Sequence, residues 1–130
     1  MPARNGALGR ASGHGACATR QPCSVLGMPA PIIHTDTQKS HANIEMGVRA
    51  ALAANALPVT IGGDHSVNIP CINAFDDQGD FHVLQIDAHL DFVDERHGVR
   101  VGHGNPMRRA AEKPYVTGLT QMGIRNVSST

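Results

Sequence analysis

Apolar positions Ile44, Val48, Ala51, Leu52 and Ala56 recur at helical spacing within Ala-rich sequence and predict an amphipathic helix over residues 38–56. Thr35-Asp36-Thr37 offers an N-cap region before it, Gly47 weakens it locally, and Leu57-Pro58 is expected to break it. Val59-Thr60-Ile61 then reads as a short, buried, β-branched strand at 59–61. Gly62-Gly63 lets the chain turn sharply where a side chain would obstruct. After that turn Val67, Cys71, Ile72 and Phe75 mark one face of a second helix, with Pro70 tolerable only near its first turn. The polar run 76–80 is a turn, and Phe81 to Ile86 is a second strand. A loop over 92–104 with three glycines leads to Asn105-Pro106, an N-cap followed by proline, so a helix is expected over 106–112. Leu119 to Ile124 is the third strand candidate.

Strand and helix alternating at this spacing mean parallel strands joined by crossover helices. In such sheets ligands sit beyond the carboxyl ends of the strands. Asp64-His65 follows the first expected strand and Asp87 to Asp91 follows the second, so both groups are expected on one edge of the sheet.

The N-terminal part departs from this pattern. Residues 1–30 are rich in Gly, Ala, Arg, Ser and Pro and show no apolar period, so a mobile segment is expected there, ahead of an α/β domain over 31–130. His14, Cys17 and Cys23 lack a fourth ligand and fit no zinc spacing. Three cysteines (Cys17, Cys23 and Cys71) without framework spacing make a reduced, cytoplasmic setting the default expectation. A formal charge of zero and the lack of a Lys/Arg run argue against nucleic acid and acidic membrane as partners. Apolar stretches fall far short of the roughly 20 residues of a membrane span, and no secretory signal pattern is evident. At 130 residues the chain can make one small domain.

The candidate chemistry lies between Thr60 and Pro106, in T-I-G-G-D-H-S, Q-I-D-A-H-L-D and G-H-G-N-P. If D-A-H-L-D stays extended, alternate residues project to one side and Asp87, His89 and Asp91 can converge, with His65 delivered by the neighbouring strand. Burying such a group without a cation or substrate between its members would be costly. Imidazole and carboxylate without thiolate suit manganese, iron or zinc. A lone Asp after a strand is usually a cap and a lone His is usually satisfied locally; the four together read as a metal site. Asp64 is read as a capping or outer carboxylate, His82 as structural, and His97 as a solvated loop residue. His34 and His41 carry no signal.

G-G-D-H-S paired with D-A-H-x-D resembles the ureohydrolase superfamily of arginase, agmatinase and guanidinobutyrase. G-H-G-N-P at 102–106 resembles that family's H-G-x-P segment, and M-R-R-A at 107–110 resembles the agmatinase-like branch. The resemblance covers about Ile32 to Arg125. It implies a three-layer α/β/α fold with a mainly parallel sheet, a homo-oligomer, and manganese-dependent hydrolysis of a guanidino compound to an amine and urea. It further implies that His65 and Asp91 serve one manganese ion and His89 the other, with Asp87 bridging them. Asp91 would also hold the hydroxide that two cations make available at neutral pH, and His103 would help protons reach the leaving amine.

The resemblance also implies a later D-x-D motif, with the second bridging carboxylate, and a glutamate that grips the guanidinium. After Asp91 the only acids are Asp94, Glu95 and Glu112, none of them in a D-x-D. The chain is therefore expected to hold the first half of a binuclear site on an incomplete sheet with open edges, as an N-terminal fragment or truncated product. The alternative to a ureohydrolase is a catalytically inactive paralogue that binds metal weakly or partners a full-length subunit.

Overall fold

A computed structural model describes residues 32, 33 and 35–126. The readings made for residues 1–30, including His14, Cys17 and Cys23, lie outside the described residues, as does His34. In chain order the elements are α1 (Thr37–Ala53), a 3-10 turn (His65–Val67), α2 (Asn68–Asn73), β1 (Phe81–Ile86), α3 (Pro106–Ala111) and β2 (Val116–Met122).

Asp36 caps α1, accepting a hydrogen bond from the Lys39 backbone N–H at 2.9 Å. The helix stops at Ala53 rather than at residue 56, and Leu57-Pro58 is not what stops it. Asn55 adopts φ 53°, its N–H bonds the Leu52 carbonyl, and the Ala56 N–H bonds the Ala51 carbonyl. That pattern is a Schellman cap with asparagine at the left-handed position. Ile44, Val48 and Ala51 on the buried face of α1 join Ile69, Ala74, Met107 and Ala110 in the core, where α2 packs against both α1 and α3.

The expected strand over 59–61 does not form. Val59 is 78% exposed and Ile61 95% exposed, and among the described residues no strand pairs with them. A β-branched run needs a hydrogen-bonded neighbour to become a strand, and its propensity reflects a half-buried sheet surface more than the run alone. Gly62 is required here, since a Cβ on it would lie 2.9 Å from a methyl of Val67.

β1 and β2 pair in parallel, with Leu84 opposite Thr120 and Ile86 opposite Met122. β2 begins at Val116, earlier than the 119–124 expected, because the Phe81 N–H bonds the Tyr115 carbonyl. The His82 ring packs over Gly118, where a Cβ would come within 2.7 Å of it. Gly123, at φ 85°, turns the chain away before residue 124. The crossover between the strands carries α3, with Pro106 in its first turn. Asn105 does not cap it by side chain, as its sequence position suggested. Its Oδ1 accepts from the Gly102 N–H and its Nδ2 donates to the Val93 carbonyl, which fixes the loop ahead of α3 instead.

One sheet face is open: Leu84 and Ile86 are exposed while Gln85 between them is buried. Among the described residues no helix is long and apolar enough to cross a membrane.

Candidate metal centre

The carboxyl end of β1 and the turn ahead of α2 meet in space. Asp87 is the first residue past β1, and His65 opens the 3-10 turn, which Asp64 caps by accepting from the Ser66 N–H at 2.7 Å. His65 Nδ1 lies 2.6 Å from Asp91 Oδ2 and 3.8 Å from Asp87 Oδ2. Ligand atoms of His65, Asp87 and Asp91 all fall within 4.8 Å of one another. The three are half-buried.

His89 stands apart from that trio. Its side chain is 59% exposed, and its Nδ1 lies 3.3 Å from the other oxygen of Asp87, Oδ1. Strict alternation along an extended D-A-H-L-D is therefore not what gathers the acids. Asp91 has φ 49°, so the chain bends back there and returns its carboxylate toward His65. The left-handed region is one that Asp tolerates better than most side chains. Asp87 thus turns one oxygen toward the His65–Asp91 pair and the other toward His89. The His89 backbone N–H, at 2.9 Å from Oδ1, holds the Asp87 carboxyl below its ordinary range.

The loop that carries these groups is held by two amides that the sequence pattern did not single out. Buried Gln85 donates through Nε2 to the His89 carbonyl at 3.3 Å, with Asp91 Oδ2 3.5 Å away. Gln121 on β2 donates to Gln85 Oε1 and, at 2.7 Å, to the Leu90 carbonyl. An amide at an inward position of each paired strand was the signal available, because a buried amide needs partners. Asn68 is the third amide: its Nδ2 lies 2.6 Å from His65 Nε2.

The remaining histidines divide as follows. His103 is exposed, with Nδ1 3.7 Å from Asp64 Oδ2. Burial pushes the Asp64 carboxyl up, but the hydrogen bonds from Ser66 together with the nearby His103 and His65 carry the net shift downward. His41 reaches Ser66 Oγ at 3.3 Å, and burial lowers its pKa against the opposing charge of Asp64. His82 bonds Thr120 Oγ1 at 2.8 Å on the strand pair, and His97 is an exposed loop residue at φ 52°.

An imidazole nitrogen and two carboxylates at this spacing fit a divalent cation of the manganese, iron or zinc type. They also account for a short histidine–carboxylate contact in a place open to solvent on one side.

The Arginase family profile matches residues 11–130. Over 98 residues the chain is 35% identical to N(1)-aminopropylagmatine ureohydrolase of Thermus thermophilus, a match covering 75% of this chain and 33% of that protein. Over 96 residues it is 33% identical to the mitochondrial guanidino acid hydrolase of Homo sapiens, covering 72% of this chain and 27% of that protein. The arginase structure from Medicago truncatula superimposes with a TM-score of 0.67 at 29% identity, over 72% of this chain and 31% of that one. The chain spans about a third or less of the length of the relatives it matches. With a profile match over most of its length, a parallel strand pair joined through a crossover helix and a His/Asp/Asp cluster beyond the end of β1, the chain belongs to the arginase family.

Proposed function

We propose that this chain carries the first-half metal ligands of a manganese-dependent amidinohydrolase of the agmatinase type, which converts a guanidino compound to an amine and urea. The observation that carries the reading is the meeting of His65, Asp87 and Asp91 from two separate turns at one sheet edge. His65 Nδ1 and Asp91 Oδ2 would hold one cation. Asp87 would bridge, since its two oxygens already face different histidines, and His89 Nδ1 would serve the second cation. A cation pair held there would lower the pKa of a water at neutral pH. His103, exposed beside Asp64, would pass a proton toward the leaving amine.

Donor chemistry is compatible with manganese, since every candidate ligand is nitrogen or oxygen and the cluster holds two carboxylates and no thiolate; the choice of manganese over iron or zinc rests on the family. The substrate's remote end is left open: the relatives' names speak of aminopropylagmatine, guanidino acids and arginine. These share the guanidinium and differ beyond it.

A second reading, a non-catalytic paralogue that binds metal weakly, is favoured by one feature. Among the described residues only two carboxylates join the cluster, and His89 remains largely exposed.

Manganese titration of the metal-free chain, followed by loss of the free-ion EPR signal, tests the shared part of both readings. Binding that disappears in the Asp87→Asn/Asp91→Asn double variant is expected. No binding by the wild type, or binding indifferent to the double substitution, overturns the site. Two tight sites in the wild type would mean that further ligands are present.

A further inference from the structure

We infer that Asn68 is a positioning residue that partners Nε2 of His65 in either state of the ring, and so governs how readily His65 Nδ1 gives up its proton to accept a divalent cation. The inference rests on the metal reading above for its consequence, though not for its geometry.

Neutral imidazole has one N–H and one bare nitrogen. His65 has a partner at both: Asp91 Oδ2 at 2.6 Å from Nδ1 and Asn68 Nδ2 at 2.6 Å from Nε2. A carboxylate can only accept, so Nδ1 carries the proton in this arrangement and donates it to Asp91. Nε2 is then bare and accepts from the Asn68 amide N–H. The two contacts agree on one tautomer.

A cation between His65, Asp87 and Asp91 requires the opposite tautomer. Nδ1 must offer its lone pair, and the proton must sit on Nε2. A buried or half-buried N–H needs an acceptor, and Asn68 can provide one without moving its backbone. Turning the amide over about the Cβ–Cγ bond places Oδ1 where Nδ2 stands, at nearly the same volume. Asn68 is thus able to satisfy either state of the ring, donating when Nδ1 is protonated and accepting when Nδ1 is bare. The partner on the far nitrogen of a ligating histidine ordinarily fixes its tautomer, and loss of that partner typically costs ten- to a hundredfold in metal affinity.

Its position makes this possible. The 3-10 turn over His65–Val67 runs directly into α2, whose first residue is Asn68, and three residues of tight helix bring the two side chains to the same face. Gln85 braces Asp91 from the other side, which leaves Asn68 as the adjustable member of the set.

The test uses the full chain and the variants Asn68→Asp and Asn68→Leu, both close to asparagine in volume. Two-bond proton–nitrogen NMR at one slightly alkaline pH reads the His65 tautomer without metal and with Zn²⁺, a diamagnetic probe. Mn²⁺ titration reads affinity. Wild type should carry the proton on Nδ1 without metal and on Nε2 with Zn²⁺. Asn68→Asp, which can only accept, should keep a proton on Nε2 in both conditions, alongside the Nδ1 proton that faces Asp91 without metal, and bind Mn²⁺ at least as well as wild type. Asn68→Leu should bind Mn²⁺ about ten- to a hundredfold more weakly.

A residue that only packs would weaken both variants alike and leave the tautomer unmoved, which overturns the inference. Wild-type binding with tautomer and affinity indifferent to residue 68 also overturns it, while the metal reading stands. A tautomer that follows residue 68 in a wild type that binds no Mn²⁺ supports the Asn68 assignment and overturns the metal reading instead. Should Asn68→Leu fail to fold, the tautomer in Asn68→Asp decides.

Discussion

Asp91 Oδ2 sits 2.6 Å from His65 Nδ1, and Asp91 reaches it from a backbone with φ 49°. The contact depends both on the carboxylate and on a side chain that tolerates the left-handed region. Asp91→Asn should therefore keep the fold, because asparagine is also favoured there, while Mn²⁺ affinity falls at least about tenfold. Asp91→Ala should lose affinity and also melt earlier, since alanine is disfavoured at positive φ. Thermal melts by circular dichroism, run beside metal titrations, separate the two effects. Equal melting of both variants would show that the backbone at 91 relaxes without consequence.

Met107 links this corner to the core. Its side chain is 2% exposed, and its backbone N–H donates to the Asp91 carbonyl at 3.1 Å. Truncation removes packing between α2 and α3 without touching a candidate ligand. Met107→Ala should cost about 2–5 kcal/mol in denaturant unfolding. A loss under about 0.5 kcal/mol would mean that the site collapses around the smaller residue with little residual cavity.

Much of this arrangement is readable from local pattern, because much of it is locally determined. The buried face of α1, β1 at 81–86 and the proline at the start of α3 each follow from spacing or from a single residue's stereochemistry. Asp87 lies beyond the carboxyl end of β1 as an α/β sheet leads one to expect, whereas His65 meets it from a 3-10 turn with no strand ahead of it. Val59-Thr60-Ile61 fails for the opposite reason, since a strand depends on a neighbour that its own residues do not encode. Asn55 and Asn105 show a second limit. Asparagine can end a helix, cap one, or tie down a loop, and only the surrounding backbone selects among these. An inward strand position marks Gln85 and Gln121 as amides that need partners, but which groups they and Asn68 hold is decided by contacts made in space. His89 marks the same boundary, because a motif gives its presence and not the direction of its ring.

The exposure of Ile61 leads to an expectation about stability. At 95% exposed it has little apolar area left to lose on unfolding. Ile61→Thr should change the unfolding free energy of this chain by no more than about 0.5 kcal/mol. It should also make the chain less prone to self-association, since Leu57 and Val59 beside it are exposed as well. Light scattering and urea denaturation check both statements. Strong destabilisation would show that 59–61 is paired in solution.

Acid should loosen the loop that precedes α3. The Arg109 guanidinium, largely buried on α3, pairs with Asp94 and holds its carboxyl below the ordinary value of 3.8, with Arg100 adding to the effect. A carboxylate with a depressed folded-state pKa stabilises fully above its unfolded value, and that contribution is lost as pH falls through the lower folded value. Wild type should therefore lose melting temperature below about pH 4, and part of that loss should vanish in Asp94→Asn, which starts lower at neutral pH. Asp76, held down by Arg49, acts in the same direction and will leave a residual slope. A neutral-pH melting temperature unchanged in Asp94→Asn would show that Glu112, 2.9 Å from Arg109, is sufficient alone.

The 130-residue chain by itself should not release urea from agmatine at a rate resembling that of a complete hydrolase. Two cations need more carboxylate than Asp87 and Asp91 provide. The acids that follow do not make up the deficit: Asp94 and Glu112 are committed to Arg109 and Arg100, and Glu95 is exposed on the loop. The site is also open to water, which weakens the electrostatic terms that operate in a closed pocket. Among the described residues the other acid beside the cluster is Asp64, which is engaged in capping the 3-10 turn through Ser66, so no further carboxylate is set to grip and orient a guanidinium. Loss of alignment and of one cation together should lower the rate by several orders of magnitude. A urea-release assay on purified chain with Mn²⁺ and agmatine reads this directly. Robust turnover that disappears in His103→Ala would mean that the remaining ligands are supplied in trans, by a second copy of the chain. A dilution series would then show specific activity falling as the copies separate.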